Sequence, residues 1–255
     1  SGKKSIQDEL QHVLKTSYYH TTTLTYPPLA APSVIFNLDN FFSAYNSTSL
    51  PGGKIPQFRM MEINYNKFKS LAANVDYILT YKEKSFVLST AEHDYNFIIS
   101  LYFNPDDKIL SDELIQTIKT RIKDNNIYKS KSIHLQGDDV YPKFFEVEDI
   151  KKEDIILDPA LLETILDNSV YYLQRIIRPT NSRLPTKRGI ILEGSPGVGK
   201  TLTIKAIMNY AKDNNITNVL VSADAIQDSH DIRDIFTLLE DLTPVVVVFE
   251  DIDLF

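Results

Sequence analysis

The sequence predicts an α/β fold in which a parallel sheet carries a glycine-rich loop, preceded by a small α+β domain. Three observations indicate this organisation. In the C-terminal part, short apolar segments alternate with amphipathic helices, which is typical of parallel sheets with helical connections. A glycine-rich loop separates the first apolar segment, 189–192, from the helix that follows it. Residues 58–103 instead contain runs of aromatic and β-branched residues, which indicate β-strands.

Composition narrows the classes of protein to which the chain can belong. Its 255 residues are 43% hydrophobic and 24% charged, as in a soluble globular protein of one or two domains. The net charge of −7 and the interleaving of lysines with acids argue against nucleic acid as the main partner. The absence of cysteine excludes disulfides, thiolate metal sites and cysteine nucleophiles. No apolar run approaches the ~20 residues of a membrane helix and no signal peptide is evident, so we expect a cytoplasmic protein without a membrane anchor.

The N-terminal part, 1–150, is expected to be an α+β domain. Its predicted helices are 5–16, one or two turns at 39–45, and a helix capped by Ser111 that ends at Asn125-Asn126 and buries Leu114, Ile115, Ile118 and Ile122. Its predicted strands are 77–81, 85–89, 95–103, 132–135 and 144–147, with a hairpin turn at Lys82-Glu83-Lys84. The histidines are isolated from one another and from clusters of carboxylates, so no metal site is predicted here. By elimination, this part should serve recognition of a substrate or adaptor, or assembly.

The C-terminal part, 151–255, follows a charged junction. Asp158-Pro159 starts a helix, with the carboxylate as cap and proline at the first helical position, and Pro179 ends it. Beyond the glycine-rich loop, we predict a helix with Ile204, Ile207, Met208 and Ala211 on one face, a strand at 219–222, and a helix with Ile232, Ile235, Phe236 and Leu239 on one face. The run Val245–Phe249 predicts a strand buried on both faces.

The glycine-rich loop fits the phosphate-binding pattern G-x-x-x-x-G-K-[ST] at every fixed position. Glycines let backbone N–H groups turn inward around a polyphosphate, and the following helix N-terminus adds its positive end. Lys200 should reach the β- and γ-phosphates, and the Thr201 hydroxyl should ligate Mg²⁺. The predicted nucleotide-binding residues are Gly194, Ser195, Pro196, Gly197, Val198, Gly199, Lys200, Thr201 and Leu202.

The apolar strand 245–249 ends in acidic residues. Parallel strands deliver such residues to the carboxyl edge of the sheet, where phosphate-loop proteins hold Mg²⁺ and orient the attacking water. Glu250 is predicted to support the metal, together with Thr201, and Asp251 to polarise the water. The predicted catalytic residues are therefore Lys200, Glu250 and Asp251, and the predicted cofactors are ATP and Mg²⁺.

The stretch KRGIILEGSPGVGKT resembles the first nucleotide motif of AAA ATPases, and 231–255 is similar to that family's segment from its second helix through the acidic strand. The resemblance covers about 155–255. It implies an ATPase module with a five-stranded αβα sheet, usually assembled into hexameric rings that remodel or unfold macromolecules.

Three departures from the family pattern stand out. The usual Asp-Glu order is exchanged to Glu250-Asp251, which is expected to slow hydrolysis because aspartate is shorter. Residues 223–230 lack the aromatic residue and glycine of the family's threading loop. Family members also continue with a sensor strand, an arginine finger and a helical lid, and the sensor strand lies between the strands that correspond to 190–192 and 245–249. We therefore expect the chain to be part of a longer molecule, with an AAA core incomplete at its C-terminus.

Two other functions fit the phosphate-binding loop. A small-molecule kinase would need an acceptor pocket and an arginine-bearing lid, and neither is evident in the sequence. A module in which ATP organises oligomers with little turnover is compatible with the exchanged acids.

Overall fold

The structure is a computed structural model that describes residues 5–94, 96–137, 139, 141–177 and 187–251. The helices in this part of the chain are α1 (Ile6–Leu14), α2 (Ala31–Ala44), α3 (Lys108–Asp124), α4 (Pro159–Asn168), α5 (Val170–Ile177), α6 (Lys200–Asp213) and α7 (Ser229–Asp241). The strands are β1 (His20–Tyr26), β2 (Thr48–Ser49), β3 (Gln57–Asn64), β4 (Lys67–Asn74), β5 (Asp76–Tyr81), β6 (Lys84–His93), β7 (Asn96–Phe103), β8 (Ser132–Leu135), β9 (Lys143–Phe144), β10 (Thr217–Val221) and β11 (Val245–Phe249). The described helices include none with the length and hydropathy that a bilayer-spanning segment requires.

An antiparallel sheet with the order β1-β7-β6-β5-β2 forms the centre of the N-terminal part. The predicted hairpin at Lys82-Glu83 is confirmed, because these two residues join β5 to β6 with φ angles of 46° and 64°. Positive φ at both positions is the geometry of a type I′ turn, whose twist matches that of the flanking strands.

A separate hairpin, β3–β4, has two unlike faces. Met61, Leu71 and Ala73 point into the main hydrophobic core. Phe58 and Phe68 lie on the opposite face and are 66% and 59% exposed. Exposed apolar side chains grouped on one face can mark an interaction site.

Two helices of the N-terminal part begin earlier than the sequence indicated. Helix α2 starts at Ala31 rather than near Asp39, and it accommodates Pro32 in its first turn, where no backbone N–H is needed. The predicted cap at Ser111 is wrong, since α3 begins at Lys108 and the buried Ser111 hydroxyl donates to the Lys108 carbonyl. The apolar stripe of α3 and its end at Asn125 are confirmed.

The second sheet has the order β11-β10-β8-β9, in which β8, β10 and β11 run parallel. This mixed α/β arrangement agrees with the predicted fold class. Strand β9 is antiparallel to β8 and shorter than the predicted strand at 144–147. Because β11 lies at the edge of the described sheet, its residues are half-buried, and the expectation of burial on both faces is wrong.

The segment 189–192, predicted as the strand before the glycine-rich loop, is not part of this sheet. Ile191 is 80% exposed and Ile190 is also exposed. In the expected sheet order another strand lies between this segment and β11. Within the described ranges, 189–192 therefore has no adjacent strand with which to pair.

The helices of the C-terminal part differ in detail from their predicted patterns. The predicted long helix after Pro159 is divided at Ser169 into α4 and α5, and Pro179 lies outside the described residues. In α6, Met208 and Ala211 are buried whereas the two predicted isoleucines are half-buried. In α7, Ile235 and Leu239 are buried, whereas Ile232 and Phe236 are exposed.

One hydrophobic core connects the two parts of the chain. It includes Phe41, Phe86 and Ile99 from the N-terminal part, and Val219 and Ile235 from the C-terminal part. The second sheet also joins the two parts, because β8 precedes residue 150 in the chain and β10 follows it. The division into domains at 150 remains a prediction, and the two proposed parts share a sheet and a core.

Replacing Tyr128 with phenylalanine is expected to stabilise the fold. The Tyr128 side chain is fully buried, and its hydroxyl has no hydrogen-bond partner among the described residues. An unpaired buried polar group costs about 1–3 kcal/mol. We expect Tyr128→Phe to raise the free energy of unfolding in urea by about 1 kcal/mol at neutral pH, while Tyr18→Phe, at an exposed tyrosine, should leave it unchanged.

The same substitution should alter stability at alkaline pH. Burial, followed by the charges of Tyr141 and Glu62, raises the pKa of Tyr128 well above its ordinary value of 10. Above pH 10 the unfolded chain loses this proton while the folded chain keeps it, so wild-type stability should fall as pH rises toward the folded pKa. The Tyr128→Phe variant lacks this loss, so its advantage should widen at alkaline pH. If the two proteins differed in unfolding free energy by the same amount at neutral and alkaline pH, the raised pKa of Tyr128 would be contradicted.

Candidate nucleotide-binding site

The glycine-rich loop has a backbone that its glycines make possible. Gly194, Gly197 and Gly199 have φ angles of 152°, 83° and 94°. Side chains disfavour positive φ, and a Cβ at Gly194 would also approach the Val198 side chain to 3.1 Å. The pattern of glycines in the sequence therefore matches the bends of the loop.

The loop leads directly into helix α6, which begins at Lys200 with Gly199 as its N-cap. The first N–H groups of any helix have no intrahelical acceptor, and Gly199 has no side chain that could accept from them. Thr201 and Leu202 lie in this first turn, and Thr201 is exposed. Free N–H groups and the positive end of the helix dipole are suited to an anion.

The Lys200 side chain folds back over the loop. Its ammonium donates hydrogen bonds to the carbonyl oxygens of Gly194 and Ser195, the second at 2.9 Å. The structure thus places the cation, the bent backbone and the helix N-terminus together. This donor set fits the phosphates of a nucleoside triphosphate.

The acidic pair follows β11 at the carboxyl edge of the parallel strands. The Glu250 N–H donates to the Val221 carbonyl at 3.0 Å, which extends the β10–β11 pairing by one residue. Asp251 has a φ angle of 51° and turns the chain away from the strand direction. Helix α6 packs against both β10 and β11, so the helix that begins with Lys200 and the acidic strand belong to one helix–sheet layer.

A cavity of about 360 Å³ adjoins the loop. It lies between helix α4, the segment 188–193 and the start of α6, and its lining is mainly apolar. Arg188 borders it, donates to the Asn168 side chain and lies 5.9 Å from the ring of Tyr172. An apolar cavity with a few polar groups beside a phosphate-binding loop is suited to the flat part of a nucleotide.

Comparison with known proteins agrees with this geometry. Residues 190–255 match the model of the ATPase family associated with various cellular activities (AAA). This segment of the chain is therefore similar to AAA ATPases. Over 113 residues the chain is also 31% identical to the Cell division cycle protein 48 homolog of Archaeoglobus fulgidus. That alignment covers 42% of this chain and 15% of the archaeal protein, so the chain spans a small part of its relative's length.

The AAA-like motifs predicted the loop and the acidic pair from the sequence, but not the cavity. Leu157, Leu161 and Ile165 contribute apolar walls, and Asn168 and Arg188 contribute polar groups. A sequence signal was present for Arg188 only, in the basic pair that precedes the AAA nucleotide motif. The contributions of α4 depend on how that helix packs, which its periodicity alone does not specify.

Helix α4 is held by the cap that the sequence predicted. The Asp158 carboxylate accepts hydrogen bonds from the N–H groups of Ala160 and Leu161 at 3.0 and 3.1 Å. We expect Asp158→Ala to lower the free energy of unfolding in urea by about 1 kcal/mol. The control is Asp167→Ala near the other end of α4, where a carboxylate opposes the helix dipole. Equal losses in the two variants would show that the cap bonds contribute nothing specific.

Proposed function

We propose that this chain binds ATP with Mg²⁺ and hydrolyses ATP as part of an AAA ATPase. The observation that supports this most strongly is the loop 194–199, whose three positive-φ glycines lead into an uncapped helix with Lys200 folded over it. The family match over 190–255 supports the same reaction, since the family is one of ATPases.

In this proposal each residue has the role that the sequence predicted for it. The loop N–H groups and Lys200 bind the phosphates and fix their orientation. The Thr201 hydroxyl and the Glu250 carboxylate would hold Mg²⁺, which would supply positive charge to neutralise the phosphates. Asp251 orients the attacking water and accepts hydrogen bonds from it. The exchanged order of these acids favours slow turnover, because the Asp251 carboxylate is one methylene closer to the backbone.

We further propose that hydrolysis drives remodelling of a protein partner by an oligomer, which the family resemblance suggests to be a hexameric ring. The N-terminal part would contact the substrate or adaptor. The exposed apolar face of the β3–β4 hairpin, with Phe58, Met60 and Phe68, supports this role, because exposed apolar patches are common at protein interaction sites. A location in the cytoplasm and the absence of a nucleic-acid partner remain predictions from composition.

An alternative is a module that assembles on binding ATP and turns over little of it. The Glu250-Asp251 order is the observation that favours it. Sedimentation of the complete polypeptide with ATP, with a slowly hydrolysed analogue and without nucleotide separates the two, when combined with an assay of phosphate release. Assembly without phosphate release supports the alternative, and phosphate release that requires Mg²⁺ supports the ATPase. Transfer of phosphate to an added small molecule would contradict both and indicate a kinase.

A further inference from the structure

Strand β8 lies outside the segment that matches the AAA family. It is nevertheless in the same sheet as β10 and β11, which belong to that segment. It pairs in parallel with β10, with Ser132 beside Asn218 and His134 beside Leu220. The N-terminal part of the chain thereby supplies side chains to the sheet whose carboxyl edge bears the acidic pair.

The alternation of side chains shows which of these residues share a face. Leu135 and Val221 point into the main core, on the side of α7. Asn218 points to the opposite side, where its amide donates to the Met208 carbonyl of α6. Because side chains alternate along a strand, His134 lies on the α6 side of the sheet, the side whose helix begins at the phosphate-binding loop.

His134 makes a direct contact at the carboxyl edge. Its Nε2 atom and the Ser222 hydroxyl oxygen lie 2.7 Å apart in a hydrogen bond. The half-buried imidazole also makes an edge contact with the Phe145 ring, with centroids 6.3 Å apart. Two contacts on different elements fix the orientation of the ring.

The backbone around this contact is closely packed. The Ser222 N–H donates to the Leu135 carbonyl at 3.0 Å, which holds the end of β10 against the end of β8. A Cβ at Gly137 would lie 2.3 Å from the Asp224 carbonyl oxygen, so only glycine allows the two loops to approach this closely. The distance between His134 and Ser222 is therefore set by the main chain.

Ser222 and Glu250 are the first residues after the neighbouring strands β10 and β11. Val221 pairs with Phe249, and the Glu250 N–H continues that pairing, so the next residues lie side by side. Neighbouring strands are about 4.8 Å apart, which is within reach of a glutamate side chain. The Ser222 hydroxyl is hydrogen-bonded to His134 and makes no hydrogen bond to Glu250 in the structure. If the imidazole donates from Nε2, the Ser222 O–H is available to donate to that carboxylate.

We propose that His134 is a positioning residue of the ATP site, which fixes the Ser222 hydroxyl beside Glu250 and so orients that carboxylate. The inference rests on the proposed ATPase function and adds to it a residue from the N-terminal part of the chain. It also gives that part a direct link to the reaction, since a movement of β8 would release the Ser222 hydroxyl.

The test measures kcat and KM for ATP in the complete polypeptide with His134→Ala, His134→Gln and Ser222→Ala. Loss of residues that orient metal ligands typically lowers activity about 10–100-fold. We expect His134→Ala and Ser222→Ala each to lower kcat by about 10-fold with little change in KM, and the double variant to lose no more than either alone. Glutamine carries an N–H near the position of Nε2, so His134→Gln should recover most of the lost kcat.

Ser132→Ala is the matched control. Ser132 lies on the same strand and the same face, and its hydroxyl accepts a hydrogen bond of 3.2 Å from the Asn218 amide at the opposite end of the pairing. The Ser132→Ala variant should therefore report any general effect of weakened β8–β10 packing. We expect its kcat to be unchanged. Thermal unfolding of each variant completes the comparison. If His134→Ala does not fold, His134→Gln and Ser222→Ala carry the test.

Unchanged kcat in the His134 and Ser222 variants of an active protein would overturn the inference and leave the ATPase proposal intact. Additive losses, or an equal loss in Ser132→Ala, would also overturn it, because either result indicates separate or purely structural effects. A wild-type protein without ATP turnover would remove the proposed function, and the inference with it.

Discussion

Lys200→Ala is expected to abolish ATP binding. The ammonium lies over the loop, where it now donates to the carbonyls of Gly194 and Ser195 and where it would meet the phosphates. Hydrogen bonds to charged groups contribute about 1.5–3 kcal/mol each. Losing the hydrogen bonds from Lys200 to two phosphates should weaken ATP binding by about 100-fold or more. Titration with a fluorescent ATP analogue measures the change directly.

Lys205→Ala is the control for this substitution. Lys205 lies further along the same helix and forms an ion pair of 2.5 Å with Glu148, away from the loop. The Lys205→Ala substitution removes the same charge from α6 but should leave ATP affinity within about twofold of the wild type. Partly exposed ion pairs contribute little to stability, so the helix should keep its structure. Equal affinities in the Lys200→Ala variant and the wild type would contradict the assignment of the loop as a phosphate site.

Asp251→Asn is expected to leave ATP bound and to stop its hydrolysis. The amide keeps the size of the carboxylate but cannot accept a proton from the attacking water. General bases contribute roughly 10²–10⁴ to rate, so kcat should fall by about 100-fold or more while nucleotide affinity changes little. Single-turnover phosphate release, with binding measured in parallel, separates the two quantities.

Two comparisons make this prediction specific. Glu250→Gln should instead raise the Mg²⁺ concentration needed for turnover, because Glu250 is assigned to the metal. Asp213→Asn, at an exposed acid near the far end of α6, should leave both binding and turnover unchanged. Undiminished turnover in Asp251→Asn would refute the assignment of Asp251 as the group that activates water.

Features encoded by neighbouring residues could be predicted from the sequence. The bends at Gly194, Gly197 and Gly199, and the start of α6 at Lys200, follow from the local need for positive φ and a helix N-terminus. The Asp158 cap was predictable for the same reason, since the cap and its N–H partners are within three residues of each other.

Features that depend on a distant partner could not be predicted. The segment 189–192 has strand-like residues, yet a strand exists only beside another strand, and this one has none among the described residues. Conversely, 132–135 was expected to be a strand of the N-terminal part, and nothing local indicated its pairing with β10. The His134–Ser222 contact depends on that pairing, so the sequence showed His134 only as an isolated histidine.

The pairing of β8 with β10 has a practical consequence for anyone who produces the two halves separately. A fragment that begins at residue 151 would retain β10 but lose the strand that now covers one of its edges. The bare amide and carbonyl groups of that edge would then be open to strands from other molecules, a known route to insoluble aggregates. Producing 131–145 and the C-terminal part as one polypeptide would avoid this hazard.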